Sequence, residues 1–391
     1  TVGVTAAAPP AAASVANTIA GNANYGVYIA DAGTSANTVQ GNLIGGSGGR
    51  GNLLAGVTLR NGAQDNLVDA NTIVGQAAAP GVEIAGASTR LNSVRGNRIG
   101  IDATEAVVAN QVGVRLGEGA HDNAIGSGGR NTISGNSGAG VLLSGAGSFN
   151  TIEGNYIGLT AGGSGDRGNG GDGVRIEAGS SNTAIRDNTI AGNVGAGIQV
   201  RDATTVETTI VRNRIGTNAA ASFVVPNDGD GILVGADAQR SNIGFADSPA
   251  NANLLRGNGG AGIRVVSGQD HRIRVNSIGA NDGLGVDLGG AGVTANDALD
   301  ADTGANALQN FPFLSNVLRN AGMVSMTVAL DSAPNIDFTT NVYRNADCDA
   351  SGHGEAEAYL GEVALATNAT GAASVSAMFP LADSVPVLAW T

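Results

Sequence analysis

The sequence predicts an all-β solenoid, in which short strands stack turn upon turn, followed by a small antiparallel β-sandwich. Three observations predict it. The stretch from Asn131 to Gly158, NTISGNSGAGVLLSGAGSFNTIEGNYIG, has close copies beginning at Asn17, Asn188 and Asn253. A repeat of this size means stacked supersecondary units. Between the short apolar runs there is no helical stretch of about 10–12 residues, which an α/β solenoid would need. Finally, 63 Gly, 42% apolar residues and 3% aromatics cannot fill a broad core with rings. They can fill a narrow cylinder with Val, Ile, Leu and Ala.

The chain opens with Thr1-Val2-Gly3, which resembles the mid-turn pieces Ala124-Ile125-Gly126 and Asn242-Ile243-Gly244. It therefore starts inside a turn, and we expect a segment cut from a longer polypeptide. Residues 4–16 are not amphipathic enough to predict a cap helix. A marker, Gly-[Val/Ile]-x-[Ile/Leu/Val], then recurs with its glycine at Gly26, Gly56, Gly81, Gly113, Gly140, Gly173, Gly197, Gly231, Gly262 and Gly285. Strand alternation sends its second and fourth residues inward and its third outward. A second marker, Asn-x-[Ile/Leu/Val], places Asn42, Asn71, Asn97, Asn131, Asn155, Asn188, Asn213, Asn253 and Asn276 once in each turn. Asn suits such bends because it tolerates left-handed backbone, and its amide can bond to the rungs on either side. Near Gly285 the pattern gives way to turn-rich, acidic sequence. Alternating strands follow at Met323 to Leu330, Phe338 to Tyr343, Tyr359 to Ala366, Ala373 to Phe379 and Val385 to Trp390. We therefore divide the chain into a solenoid, 1–308, and an Ig-like β-sandwich module, 309–391, which we expect to be truncated at its C-terminus.

The repeated GVxI…NTVxGNxIG pattern resembles the right-handed parallel β-helix repeat of the pectate-lyase-like superfamily. It is most similar to bacterial secreted or surface β-helix proteins with a C-terminal β-sandwich module. The resemblance implies a single-stranded right-handed parallel β-helix of about 10–11 turns, on the order of 45 Å long at ~4.8 Å per turn. It also implies an extracellular or cell-surface location and a structural or adhesive role with weak glycan binding. The alternative it leaves open is a carbohydrate-active enzyme, a polysaccharide lyase or epimerase.

Composition excludes some classes. Twenty basic against 33 acidic residues give −13, every basic residue being Arg, which argues against a nucleic-acid partner. No apolar run approaches the roughly 18 residues of a membrane span. The single cysteine, Cys348, excludes an intrachain disulfide.

The outward column of the Gly marker reads Tyr28, Thr58, Glu83, Arg115, Leu142, Arg175, Gln199, Leu233, Arg264, Asp287, with Arg60, Glu177 and Arg201 two residues further along. Arg115, Arg175, Glu177, Gln199, Arg201 and Arg264 are the candidate glycan contacts. Guanidinium groups match carboxylate or sulfate oxygens in a bidentate way, so the expected partner is an acidic polysaccharide or cell-surface glycan. The competing reading makes Glu177 and Arg201 cross-strand partners that satisfy each other. Glycoside hydrolysis needs two carboxyls at a set spacing, and the column offers only Glu83 and Asp287, seven turns apart. The sequence therefore leans against catalysis. Gly352-His353-Gly354 matches an element of polygalacturonase-like enzymes but falls outside the coils, and His121 and His271 stand alone. For Ca²⁺, which takes six to eight oxygens, two acidic turns qualify. One contains Asp347, Asp349, Ser351 and Glu355; the other contains Asp297, Asp300 and Asp302, with Asp287 expected nearby.

Overall fold

The computed structural model describes residues 2–3, 16–245, 249–346, 351–381 and 389–390, so Asp347, Cys348 and Asp349 lie outside the described residues. Each repeat contributes three short strands, one to each of three ten-stranded parallel sheets. Every strand pairs with its counterparts in the turns before and after. The solenoid is a right-handed parallel β-helix of ten rungs. The first sheet runs from Val2–Gly3 to Arg272–Ile273, the second from Thr18–Ile19 to Ser277–Gly279, and the third from Tyr25–Ala30 to Val286–Leu288. The third sheet carries the Gly marker. The run from Thr151 to Ile157 is shared between two sheets: Thr151–Glu153 joins the first and Tyr156–Ile157 the second. Gly154, at φ 72, makes the bend between them.

Inside, the second and fourth marker residues, such as Val114 and Leu116 or Val174 and Ile176, have no exposed surface. Aliphatic side chains from successive turns stack into one continuous core. No rung could bury its apolar face alone, so stability accumulates between neighbours.

Three amide ladders line the bends. The predicted one is complete, from Asn17 through Asn276, each side-chain amide donating to the Asn Oδ1 of the next turn, as in Asn131 to Asn155 and Asn155 to Asn188. A second begins at Asn22 and runs through Asn52, Gln76, Asn110 and Asn136 to Asn281. The third passes from Asn37 through Asn66, Asn92 and Asn123 to Asn150. In one respect the bends differ from expectation. The left-handed residue is the one before the ladder position, for example Ala70, Asp187, Arg212 and Val275, and not the ladder Asn itself. The preceding residue turns the chain, while the Asn side chain satisfies backbone groups that the turn leaves unpaired.

Beyond Leu288 the chain forms two three-stranded antiparallel sheets around a second core of Val324, Val328, Val342, Leu365 and Phe379. One sheet contains Phe313–Asn320, a strand missed in the sequence. Its alternation is broken by a bulge between Ser315 and Leu318, with Asn316 at φ 51. Segments of this C-terminal part cover the open end of the rod, where exposed strand edges would invite pairing. Ala305 enters the helix core, and Asn306 bonds the backbone N–H and C=O of His271. The Tyr343 hydroxyl meets the backbone at Asn276, and burial pushes its phenol up to about 12. Glu355 accepts from both Asn281 N–H and its amide.

Candidate functional site

The third sheet stacks in the register expected from the marker. Thr58 faces Glu83, Glu83 faces Arg115, Arg115 faces Leu142, and Leu142 faces Arg175. Arg175 then faces Gln199, Gln199 faces Leu233, Leu233 faces Arg264, and Arg264 faces Asp287. All six candidate glycan contacts therefore stand on one face of the rod.

Their pairing differs from expectation. Glu177 does not partner Arg201; its carboxylate lies 3.2 Å from Arg175 Nε on the same strand. Residues two apart on a strand point the same way, so the nearer partner wins. Arg201 has no ion-pair partner among the described residues. Arg115 pairs with Glu83 at 3.5 Å and Arg264 with Asp287 at 3.6 Å.

The sequence reading also missed two carboxylates beside this column. Asp172 lies 3.6 Å from Arg175 Nε, and Asp230 interacts electrostatically with Arg264. Both occupy the position just before the marker glycine, where the other turns carry Tyr25, Ala55, Pro80, Val112, Ala139, Ala196, Ala261 and Leu284. Two acids in an otherwise uncharged column were the available signal. Asp172 Oδ1 accepts the N–H of Ala196, and Asp230 Oδ1 that of Ala261. Burial pushes both carboxyls above their ordinary range, against the lowering effect of those N–H groups and of Arg175 or Arg264. Burial likewise raises Glu83 and Asp287. Asp287 lies beneath the following turn, where it accepts Gly292 N–H.

The loops between the second and third sheets do not wall this face. In alternate turns they form small hairpins closed by the bridges Ile101–Val107, Leu159–Asp166 and Thr217–Val224. They fold back over the second sheet. Arg98 reaches Asp102 and Glu105 there, and Arg130 lies 4.1 Å above the Tyr156 ring. A separate groove of about 760 Å³ lies on the first-sheet side of the last turns, lined by Glu207, Arg240, Asp270 and Arg272 among others. His271 lines it, whereas the six candidate glycan contacts and the acidic Ca²⁺ candidates do not.

Of the proposed Ca²⁺ ligands, Asp297, Asp300 and Asp302 converge, with carboxylate oxygens within 4.8 Å of one another. Asp287 does not join them, being paired to Arg264, and Glu355 serves as the ladder cap. Ser351 bonds the backbone of His353, whose ring packs edge-on against Phe311. His121 pairs with Asp122 at 2.6 Å. The buried His271 extends the bend of the third ladder by accepting Ser241 N–H.

Comparison with known proteins matches residues 12–215 and 81–253 to the family described as "right handed beta helix region". No curated protein sequence matches the chain. Among solved structures, it is similar to the Dettilon tailspike protein, at 12% identity over 94% of this chain and 86% of that one, TM-score 0.41. It is also similar to the tailspike of E. coli bacteriophage HK620, solved with a pentasaccharide, at 14% identity over 93% and 68%, TM-score 0.32. The A-module of an Azotobacter vinelandii mannuronan C-5 epimerase aligns at 14% identity over 71% and 88%, TM-score 0.30.

Proposed function

We propose, for a chain that belongs to the right-handed β-helix family, that it is an extracellular rod whose third-sheet face holds a polysaccharide without cleaving it. The observation that carries this reading is the in-register column. It sets guanidinium, carboxylate and amide groups on successive turns, with Leu142 and Leu233 between them. Strands ~4.8 Å apart give a repeating polymer a surface of regular pitch. Because Arg115, Arg175 and Arg264 each have a carboxylate beside them, charge along the face is largely balanced. That favours hydrogen bonding to hydroxyls over strong attraction of a polyanion. Arg201 is the position where an acidic substituent would be met.

The test is retention of neutral and uronate polysaccharides by the wild-type protein and by Arg175→Ala/Arg201→Ala. We expect retention that the double variant weakens, and a salt dependence confined to uronate polymers. No retention of any polymer at low salt overturns the proposal.

A second reading, a carbohydrate-active enzyme, draws on the raised carboxyls Asp172 and Asp230, two turns and so about 10 Å apart along the rod. Each already accepts a backbone N–H of the next turn, a structural use that weighs against it. New reducing ends or unsaturated product, abolished by Asp230→Asn, would favour the enzyme. The Asp297/Asp300/Asp302 cluster is proposed to take Ca²⁺ at the junction with the C-terminal sheets, where carboxylate oxygens suit that ion.

A further inference from the structure

The groove beside the first sheet has a regular floor and a closed end. Thr209, Asn242 and Arg272 form the floor, in register on three consecutive turns and so about 10 Å from first to last. The exposed bend residues Glu207, Arg240 and Asp270, with Asn182 one turn earlier, line it as well. Backbone bonds stack these bends turn on turn: Asn182 N–H donates to Val206 O, Glu207 N–H to Gln239 O, and Arg240 N–H to Gln269 O. The segment that caps the rod closes the end, where Asn306 and Ala307 join the lining. Asn306 bonds the His271 backbone in both directions and donates its own N–H to Gly268 O, while the Gln269 amide donates to Gly304 O.

Unlike the third-sheet face, this groove leaves most of its polar groups unpaired. Glu207 and Arg240 lie 3.4 Å apart and balance each other. Among the described residues, the side chains of Asn182, Thr209, Asn242, Asp270 and Arg272 have neither a hydrogen bond nor an ion pair. The same turns are where the third ladder gives up its amides. Thr183, Thr208, Ser241 and His271 hold the position that Asn123 and Asn150 hold earlier. The first three are fully buried, with hydroxyls that find no partner among the described residues. A repeat that abandons a stabilising rule over four consecutive turns does so where another demand acts on it.

We propose that this groove is a binding site for a sugar acid, a hydroxylated ring carrying one carboxylate. Arg272 takes the carboxylate at the closed end, and Asn242, Thr209 and Asn182 meet the hydroxyls. A guanidinium holds a carboxylate through two parallel N–H···O bonds, and Arg272 is the lining cation without an ion-pair partner. Side-chain amides and a hydroxyl both donate and accept, as sugar hydroxyls do. An apolar ligand would cover these groups and leave them unpaired, at a cost for each. A doubly charged phosphate ester is disfavoured by Glu207 and Asp270, which stand in the same lining and repel the second charge. The volume of about 760 Å³ suits a small ligand, for which sites run to about 300–1,000 Å³. This site goes beyond the third-sheet reading and does not depend on it, since none of the six residues proposed there lines the groove.

The test uses digalacturonate and dimannuronate as probes, galactobiose and mannobiose as their uncharged counterparts, and glucose 6-phosphate as the dianion. Each is titrated calorimetrically into the wild-type protein, Arg272→Ala, Asn242→Asp and Arg175→Ala/Arg201→Ala. We expect at least one uronate dimer to bind and to raise the melting temperature, and its neutral counterpart to bind at least tenfold more weakly. Arg272→Ala should lose at least tenfold in affinity for that dimer, with the melting temperature of the free protein unchanged. Asn242→Asp, which sets a third carboxylate in the groove one turn from Arg272, should weaken the same dimer several-fold. Failure of both uronate dimers to bind at millimolar concentration overturns the site, as does equal binding of a neutral dimer or tighter binding of glucose 6-phosphate. Uronate binding that Arg272→Ala leaves within twofold also overturns it, and its loss in Arg175→Ala/Arg201→Ala would then put the acid on the third-sheet face. Each of these failures is distinguishable from failure of the third-sheet reading, which is decided by retention of whole polysaccharides.

Discussion

Replacing Asn155 by alanine should show how much one ladder amide contributes. Asn155 sits in the sixth turn with no exposed surface. Its Oδ1 accepts from the N–H of Asn131 at 3.4 Å and from the Asn131 amide at 2.9 Å. Its own amide donates to Ile125 O at 2.9 Å, Glu153 O at 3.2 Å and Asn188 Oδ1 at 3.0 Å. Some partners have a second bond to fall back on. The Asn131 amide keeps Val94 O at 2.8 Å, and Asn188 Oδ1 keeps the backbone N–H of residue 155 at 3.0 Å. The Asn131 N–H does not, and a buried donor left unpaired costs about 1–3 kcal/mol, with roughly another 1 for the net worth of the lost donor bonds. We therefore expect Asn155→Ala to cost about 2–4 kcal/mol, read from urea midpoints at constant slope. The control is Asn17→Ala. Asn17 is the exposed end of the same ladder and gives one side-chain bond, to Asn42, so it should cost less than about 0.5 kcal/mol. Equal midpoints for the two variants would refute the reasoning, because burial and bond number would then not set the cost.

Two further outcomes follow from the charged groups. Burial raises the Asp172 and Asp230 carboxyls, so the folded chain binds their protons more tightly than the unfolded one. Stability from these groups is then greatest below the ordinary carboxylate value and falls as pH rises through the raised folded values. Wild type should accordingly lose more stability between pH 4 and pH 7 than Asp172→Asn, whose amide oxygen can still accept Ala196 N–H; parallel pH profiles would contradict this. For the Asp297/Asp300/Asp302 cluster, ion binding confined to the folded state should raise the melting temperature in millimolar Ca²⁺ over chelator. Asp302→Asn should reduce that rise, and superimposable melts would rule the ion out.

The scaffold was legible because its information is local and repeated. Alternation within the four-residue Gly marker places Val174 and Ile176 inside and Arg175 outside, whatever the length of the loops between turns. One Asn per turn likewise announces its ladder. The ladder through Asn22, Asn52 and Asn281 was harder to read because Gln76 interrupts the residue type, accepting from the Asn52 backbone N–H and passing its own amide on to Asn110. The strand Phe313–Asn320 was hidden by its bulge, which destroys the period that reveals strands.

The site was legible in part, and the division has a physical cause. Which residues share the outer column follows from counting by two along each strand, and the register bears that out. Which partner each charge takes depends on reach and burial. Glu177 and Arg201 could have met across turns, but Arg175 stands closer on the same strand, and Asp172 arrives beside it from the bend before the marker. The end of the rod lay furthest from view. Its ladders and edges are closed by Asn306, Tyr343 and Glu355, residues with no repeat and 35 to 74 positions from what they cover. Sequence alone determined the repeating coil, because short-range alternation and a once-per-turn amide are enough to specify it. Only the tertiary structure decided the ion pairs and the cap, because those contacts depend on how non-repeating segments return through space.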